Sequence, residues 1–465
     1  MKTFELFLNG MNTFFVLYLL IYSTYLFVSV VAGAIQLYKK EHMILIKNEL
    51  QHDYYVPVSI LVPAYNEEVT IVDSIQSLVN LEYRLYEIII IDDGSKDRTV
   101  ENLIQAFSFI KIDRPIRMSL PCAPLKCVYE AKVKGVSITL VSKENGGKGD
   151  SLNMGINVSK YPYFICIDAD SMLQKDSLEK IVQPIMEEEG VVAVGGLIKI
   201  AQGVDIDKGI VKKYHLPSNP IVCMQIVEYD RSFLSSRIFM DLFNGNLIIS
   251  GAFGLFKKDI VISCGGYDSH TLGEDMELVV KLHVFCRNNM IQYKMRYEPN
   301  AICWSQAPES LKDLGKQRRR WHLGLFQSMI RYYKIFCNYK FGFVSIISYM
   351  YYLFFELLSP FIEVVGIMTI ILSCVLGYIN IPFMIGFFLC YSIYGMILTM
   401  TAFFQRIYTI HLRISIMDIT KAILSCFFEF VFFRYVLSFV RLTSFIGYRK
   451  KKNNWGTIQR HQHHS

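Results

Sequence analysis

The sequence predicts an α/β domain built on a doubly wound sheet and carried between membrane helices. Three observations predict it. From Lys40 to Lys340 short apolar runs alternate with stretches of helical period, the order that builds a parallel sheet covered by helices. Residues 11–37 and much of the chain after Phe341 are apolar over lengths that can cross a hydrocarbon core of about 30 Å. Polar and acidic clusters fall at the ends of the apolar runs, where an α/β sheet binds its ligands.

Residues 58–62 read as the first strand. Asn66 is expected to cap a helix opening on Glu67 and Glu68, acids suited to a first turn, with Val69, Val72 and Ile75 on one side. Residues 87–92 form a second strand, apolar on both faces as parallel strands under helices are. A helix is expected over 99–107. A less regular insertion follows from 112 to 135, with Pro115, Pro121 and Pro124. Further strands are expected over 137–141, 163–168 and 191–194, with helices over 149–158 and 176–188.

Residues 11–37 are too long for a signal peptide and lack a small-residue cleavage site, so they read as a retained transmembrane helix. Lys39, Lys40 and Lys47 follow it and only Lys2 precedes it, which puts the next domain in the cytoplasm. Residues 361–378 and 381–404 are good spans. Residues 343–358, with Glu356, read as an interfacial helix. Residues 419–446 carry Glu429, Arg434 and Arg441. They are also placed at the interface, because a further crossing would carry Arg449 and Lys450 to Lys452 outside. The expected layout is a membrane helix in 1–40, a cytoplasmic domain in 41–340, a membrane domain in 341–448 and a basic tail in 449–465. The protein is therefore expected in the cell membrane as a multi-pass chain.

The mean hydropathy of +0.30 agrees with part of the chain living in lipid. A net charge of +7 fits a protein drawn to anionic headgroups. It does not point to nucleic acid, because no basic stripe is interleaved with stacking aromatics. Cys122 and Cys127 are separated by four residues and have no second pair to complete a zinc site, so the 11 cysteines are expected as free thiols.

Four clusters end four successive strands: Pro63-Ala-Tyr-Asn-Glu67, Asp92-Asp93-Gly94-Ser95, Lys143-Glu-Asn-Gly-Gly-Lys148-Gly149 and Asp168-Ala-Asp170. Convergence on one sheet edge makes a single site the economical reading. Asp168 and Asp170, at i and i+2, can share a hard divalent cation such as Mg²⁺ or Mn²⁺; taken alone, the triplet could be only a turn. Asp92 to Ser95 could likewise be a turn and helix cap. The Lys148 loop lacks the spacing and the Ser/Thr of a P-loop, but its lysine can neutralise a phosphate and its glycines let backbone approach closely. Gly273-Glu274-Asp275 opens a helical stretch, where an acid can serve merely as a cap. Gln317-Arg-Arg-Arg320-Trp321 sits in a helix over 310–333. Gln317, Arg320 and Trp321 share one face, while Arg318 and Arg319 point elsewhere and are expected to meet lipid phosphates.

In this order the clusters resemble the signatures of family 2 glycosyltransferases, inverting nucleotide-sugar enzymes with a Rossmann-like GT-A fold. The Gln317 to Trp321 run resembles that of membrane-embedded synthases of cellulose, hyaluronan and poly-N-acetylglucosamine. The resemblance is strongest to the last, through Ile249-Ser-Gly-Ala-Phe-Gly-Leu-Phe256, Gln306-Ala-Pro-Glu-Ser310 and Trp455-Gly456. It implies that Tyr65, Glu67 and Asp93 hold the uridine of a UDP-sugar, with UDP-N-acetylglucosamine as donor. Lys148 would sit by the nucleotide or its diphosphate, Asp168 and Asp170 at the sugar-diphosphate and its Mg²⁺ or Mn²⁺, and Arg320 facing the diphosphate. Asp275 would be the general base. Gln317 and Trp321 would form the acceptor end, with Ser250 and Gly251 lining the acceptor side. The implied partners are a growing polysaccharide or a lipid acceptor, membrane lipids, and a small membrane or export partner.

The chemistry suits those residue types. An acceptor hydroxyl must lose its proton as it attacks, and one carboxylate can take it. A divalent ion and an arginine stabilise charge on a departing UDP. An indole face suits the apolar side of a pyranose. The chain departs from related synthases in showing one amino-terminal span and no carboxy-terminal regulatory barrel, so neither an intrinsic polymer channel nor second-messenger control is implied. Two alternatives remain: transfer of a single sugar to a lipid, and a non-catalytic scaffold. A scaffold should have lost some of Asp93, Asp168, Asp170, Asp275 and Trp321, and all five are present.

Overall fold

The computed structural model describes residues 2–47, 55–207, 209–378, 380–409 and 414–448. Arg413, Trp455, Gly456 and the basic tail 449–465 lie outside them. The strands in chain order are β1 (Val58–Ala64), β2 (Tyr86–Asp92), β3 (Ile110–Ile112), β4 (Leu125–Val133), β5 (Val136–Lys143) and β6 (Tyr163–Cys166). There follow β7 (Met172–Leu173), β8 (Val191–Ile200), β9 (Val204–Asp207), β10 (Ile210–Tyr214), β11 (Gly254–Lys257) and β12 (Lys294–Ser305). Ten of them form one sheet in the order β3-β4-β5-β2-β1-β6-β11-β8-β12-β7, and β9 and β10 form a separate hairpin.

The centre of the sheet is parallel: β5, β2, β1 and β6 all run the same way. β11 is antiparallel between β6 and β8, and β8 pairs in parallel with β12. The alternation of side chains across β1 and β2 builds two cores. Ile60, Val62, Ile88 and Ile90 join the cluster on one face, while Leu61, Ile89 and Ile91 join the cluster on the other. From β1 the chain goes to β2 on one side and later to β6 on the other, so strand order reverses at β1. The carboxyl ends of β1 and β6 flank that crevice, which is where an open α/β sheet takes ligands.

Two local expectations are corrected. The first helix does not begin at Glu67: residues 67–70 form a turn and the helix runs Ile71–Val79. Asn66 is left-handed (φ 56°), and the Glu67 and Glu68 amides bond Thr99 Oγ1 and Asp97 Oδ2 at 2.9 and 3.1 Å instead of being capped by Asn66. The stretch expected as an irregular insertion contains β4 and follows directly on β3, and the two strands extend the sheet antiparallel beyond β5.

Among the described residues three helices are long and apolar enough to cross a membrane: Gly10–Lys40, Ile381–Ile407 and Ile416–Phe445. A bent pair, Val344–Leu357 and Ser359–Val375, qualifies jointly with a 49° break. The last segment, expected at the interface, is thus long enough to span, and its charges are paired against other helices. Glu429 bonds Arg231 at 2.7 Å, Arg434 bonds Glu363 at 2.6 Å, and Arg441 lies 3.6 Å from Glu356. Pairing of this kind is how ionisable groups persist in apolar helices. The membrane helices also grip the sheet. Lys40 bonds Glu298 at 2.9 Å, and Arg406 donates to Asn300 Oδ1 and the Pro299 carbonyl at 3.1 and 3.0 Å.

Candidate active site

The site grows from the carboxyl ends of β1, β2, β5 and β6. Beyond β1, Tyr65 is 41% exposed, whereas Glu67 is buried and accepts from Thr70 Oγ1 at 3.1 Å. Beyond β2, Asp93 is buried and fully engaged. It pairs with Lys143 and accepts from the Gly146 and Gly147 amides at 2.9 and 2.8 Å. Lys143 also pairs with Asp150 at 2.8 Å. Asp93 therefore clasps the glycine loop that presents Lys148, a task its place in an Asp-Asp-Gly turn does not reveal. Gly146 must lack a side chain, since a Cβ there would lie 2.5 Å from the Asp150 carboxylate.

Lys148 opens the helix Lys148–Val158 and reaches across the cleft. Its ammonium bonds Asp168 Oδ1 and lies 3.7 Å from Glu274. Burial opposes its charge, but Asp168 and Glu274 outweigh that and hold it above the ordinary lysine value. Burial pushes Glu274 up to about 7, with Lys148 pulling it down and Asp275 pushing it further up.

Asp275 lies in the first turn of the helix Glu274–Asn288. The Met276 amide donates to its Oδ1 at 2.8 Å and the Gly251 amide to its Oδ2 at 3.2 Å. Each oxygen keeps a lone pair for a further partner. A Cβ on Gly251 would stand 3.2 Å from Lys148 Nζ, so this backbone approaches the lysine as closely as it does because residue 251 is glycine.

The helix Leu311–Arg331 is capped by Ser310, whose hydroxyl accepts from the Asp313 amide at 3.1 Å. It abuts the segment before Asp275 at a glycine pair, where a Cβ on Gly324 would meet Gly273 N at 2.7 Å. Trp321 is 40% exposed and its ring lies 6.5 Å from that of Tyr229. Arg318 does not face lipid. It is 4% exposed, bonds Glu228 at 2.6 Å, and its guanidinium sits 4.7 Å from the centre of the Trp321 ring. Arg319 donates to Thr443 Oγ1 at 3.3 Å.

Most of these residues line one cavity of about 1410 Å³, while Lys143, Asp150, Arg319 and Gly324 stand behind its wall. Tyr65, Glu67, Asp93, Lys148, Asp168 and Asp170 lie on its walls, as do Ser250, Gly251, Asp275, Gln317, Arg320 and Trp321. The sequence-based set is thus brought together whole. The same cavity continues among membrane-helix residues, including Tyr22, Phe355, Glu363 and Arg434. Sequence reasoning missed Glu228 and Tyr229, which carry no local motif, and gave no role to Lys143, the first residue of the third cluster. Glu274 stood next to Asp275 and could have been found from that adjacency.

The donor set at Asp168 and Asp170 is two hard carboxylates. Among the described residues no group of three or more His, Cys, Asp or Glu could hold a metal by itself. Two carboxylates completed by phosphate oxygens and water suit Mg²⁺ or Mn²⁺, which seldom take an all-protein cage. The residues fit such an ion.

The mixed sheet, its crevice and the lysine loop define a GT-A glycosyltransferase. The model of Glycosyl transferase family group 2 matches residues 163–405, more than half of the chain, and that of Glycosyl transferase family 2 matches residues 59–119. The chain belongs to the family 2 glycosyltransferases. It is 28% identical over 317 residues to a Staphylococcus aureus (strain COL) protein named poly-beta-1,6-N-acetyl-D-glucosamine synthase, covering 68% of this chain and 66% of that one. The Staphylococcus epidermidis protein of the same name is 30% identical over 290 residues, covering 62% of this chain and 59% of its own. The chain thus spans 59–66% of the length of these curated relatives. Among solved structures, the mannosyltransferase PcManGT from Pyrobaculum calidifontis, in complex with GDP-Man and Mn²⁺, is similar with a TM-score of 0.51 at 15% identity. That likeness covers 84% of this chain and 99% of that one, and speaks to the fold alone.

Proposed function

We propose that this chain is a membrane-embedded inverting synthase that moves N-acetylglucosamine from UDP to the end of a growing β-linked polysaccharide. The observation that carries the reading is the single cavity. It holds acidic, basic and aromatic groups at the sheet edge and runs on between membrane helices, a path for an extending chain. The activity in the relatives' name supports the donor and the product.

Tyr65, Glu67 and Asp93 line the uridine end, and Asp93 also fixes the Lys148 loop. Lys148 and Arg320 meet the diphosphate. Asp168 and Asp170 would hold Mg²⁺ or Mn²⁺, which would supply charge stabilisation to the departing diphosphate. The acceptor rests against Trp321, with Gln317, Ser250 and Gly251 around it. Asp275 takes the acceptor hydroxyl proton while that oxygen bonds the anomeric carbon; the bond from that carbon to the diphosphate breaks and UDP keeps the electron pair. A single displacement of this kind inverts the anomeric centre.

The proposed layout has a membrane helix in 1–40, a cytoplasmic catalytic domain in 41–340, a membrane domain in 341–448 and a basic tail in 449–465. Membranes carrying the protein, given radiolabelled UDP-N-acetylglucosamine and Mg²⁺, should yield long product that a hexosaminidase degrades. Single-sugar lipid products alone would overturn chain growth. Incorporation from a different UDP-sugar alone would overturn the donor.

A further inference from the structure

Lys148 stands between two carboxylates. Its ammonium bonds Asp168 Oδ1, and Glu274 Oε1 is 3.7 Å away on the other side. Glu274 is 5% exposed and pairs with Lys148, and the Arg320 charge also acts on it. The Gly251 backbone passes beside the ammonium with no side chain in the way. Asp168 faces a conflict. Its oxygen is bonded to a cationic side chain, yet with Asp170 it forms the donor pair suited to a divalent ion. An ammonium and a divalent cation repel at such range.

We propose that Lys148 is the resting counter-ion of Asp168, and that Glu274 is the berth to which its ammonium moves when Asp168 turns to a divalent cation. The inference rests on the reading of Asp168 and Asp170 as cation-binding carboxylates. Glu274 is then a positioning residue: it acts on the cation site through Lys148. The apparent cation affinity includes the free energy of moving Lys148 off Asp168, just as a binding-competent minor state weakens apparent affinity by its population. Glu274 lowers that cost by receiving the ammonium.

The test is Mn²⁺ binding to the detergent-purified full chain without donor sugar, read from loss of the free-ion electron paramagnetic resonance signal, with and without UDP. Glu274→Gln should weaken Mn²⁺ binding on the order of tenfold, about 1.4 kcal/mol. Lys148→Met should tighten binding in the absence of UDP. In the Lys148→Met background, Glu274→Gln should change affinity by less than about threefold, because the ammonium it served is gone. The double variant removes both charges of the pair together, so it keeps the test open where a single variant fails to fold; it should bind Mn²⁺ at least as tightly as the wild type. Equal losses from Glu274→Gln in both backgrounds would overturn the proposal, as would weaker binding in Lys148→Met or in the double variant. If no form binds Mn²⁺ with or without UDP, the reading of Asp168 and Asp170 falls and the proposal falls with it.

Discussion

Arg318 and Glu228 are joined by a 2.6 Å hydrogen bond, and the guanidinium so held lies over the Trp321 ring, 4.7 Å from its centre. The pair is nearly dry, with side chains 5% and 15% exposed, so its geometry is fixed where a surface pair would wander. Arg318 thereby sets the plane of the indole that faces the cavity. Arg318→Met should raise the KM for acceptor roughly tenfold while UDP affinity stays within about twofold, as one cation–π contact and one positioned ring are lost. Arg318→Lys should not restore acceptor use, because an ammonium lacks the planar stacking face. UDP release measured against acceptor concentration checks both, and an unchanged acceptor dependence in Arg318→Met would count against the platform.

Asp275→Asn keeps shape and loses the basic oxygen. Transfer should fall by roughly 10²–10⁴, the range for a positioned general base, with UDP affinity nearly intact. The amides of Met276 and Gly251 hold the carboxylate from two sides, so the asparagine amide nitrogen must turn towards one of these donors or towards the acceptor. Turnover and UDP titration on the same preparation separate the two effects, and full activity would refute the base assignment.

Asp93→Ala should act on the loop before it acts on the nucleotide. It strips the acceptor from two glycine amides and leaves Lys143, which is fully buried, with Asp150 as its remaining carboxylate beside the Glu144 carbonyl at 2.7 Å. Breaking one partner of a buried pair costs about 3–5 kcal/mol, and the low end applies because Asp150 remains. The melting temperature in detergent should drop, and UDP should recover less of it than in the wild type. A variant that melts normally and loses only UDP binding would assign Asp93 to the nucleotide alone.

Much of this was legible in the chain because the central strands announce themselves. β1, β2 and β6 are apolar on both faces and end abruptly in polar residues, so their carboxyl ends could be placed and the clusters assembled. β4 does alternate, with apolar Leu125, Cys127, Tyr129, Ala131 and Val133 against Lys126, Glu130 and Lys132, but the prolines before it and its place towards the edge of the sheet, half exposed, masked that pattern. The start of the first helix was misplaced because the Glu67 and Glu68 amides are satisfied by Thr99 and Asp97, some 30 residues onward. Arg318 was sent towards lipid because helical spacing fixes a face and not a partner; Glu228 is 90 positions away on another helix. Local pattern carries secondary structure and motif order. Long-range polar pairing decides which side chains of a motif touch the cavity and which hold it in shape.

Two buried histidines should make the fold sensitive to mild acid. His283 Nε2 faces the Asn246 carbonyl at 2.9 Å, and since a carbonyl only accepts, that nitrogen carries the proton while Tyr293 donates to Nδ1 at 2.7 Å. Burial pushes His283 down to about 4, with the Asn246 bond opposing and Arg287 adding to the fall. Burial and then Arg441 push His322 down to about 3. In the unfolded chain both would protonate near the ordinary value of about 6.5. Below that pH the unfolded state binds more protons than the folded one. Stability is therefore whole above about 6.5 and is lost as pH falls towards the folded values, by up to about 1.4 kcal/mol per pH unit for each histidine. Glu274, pushed up to about 7, and Asp241, pushed up by burial to about 6, titrate in the same window with the opposite sign, so the histidine contribution is read as the difference in melting temperature between wild type and histidine variants from pH 7 to 5. His283→Gln should start from a lower plateau and decline less steeply, and His322→Gln likewise. Slopes between pH 6.5 and 5 unchanged from wild type in both variants would show that neither imidazole is held neutral by the fold.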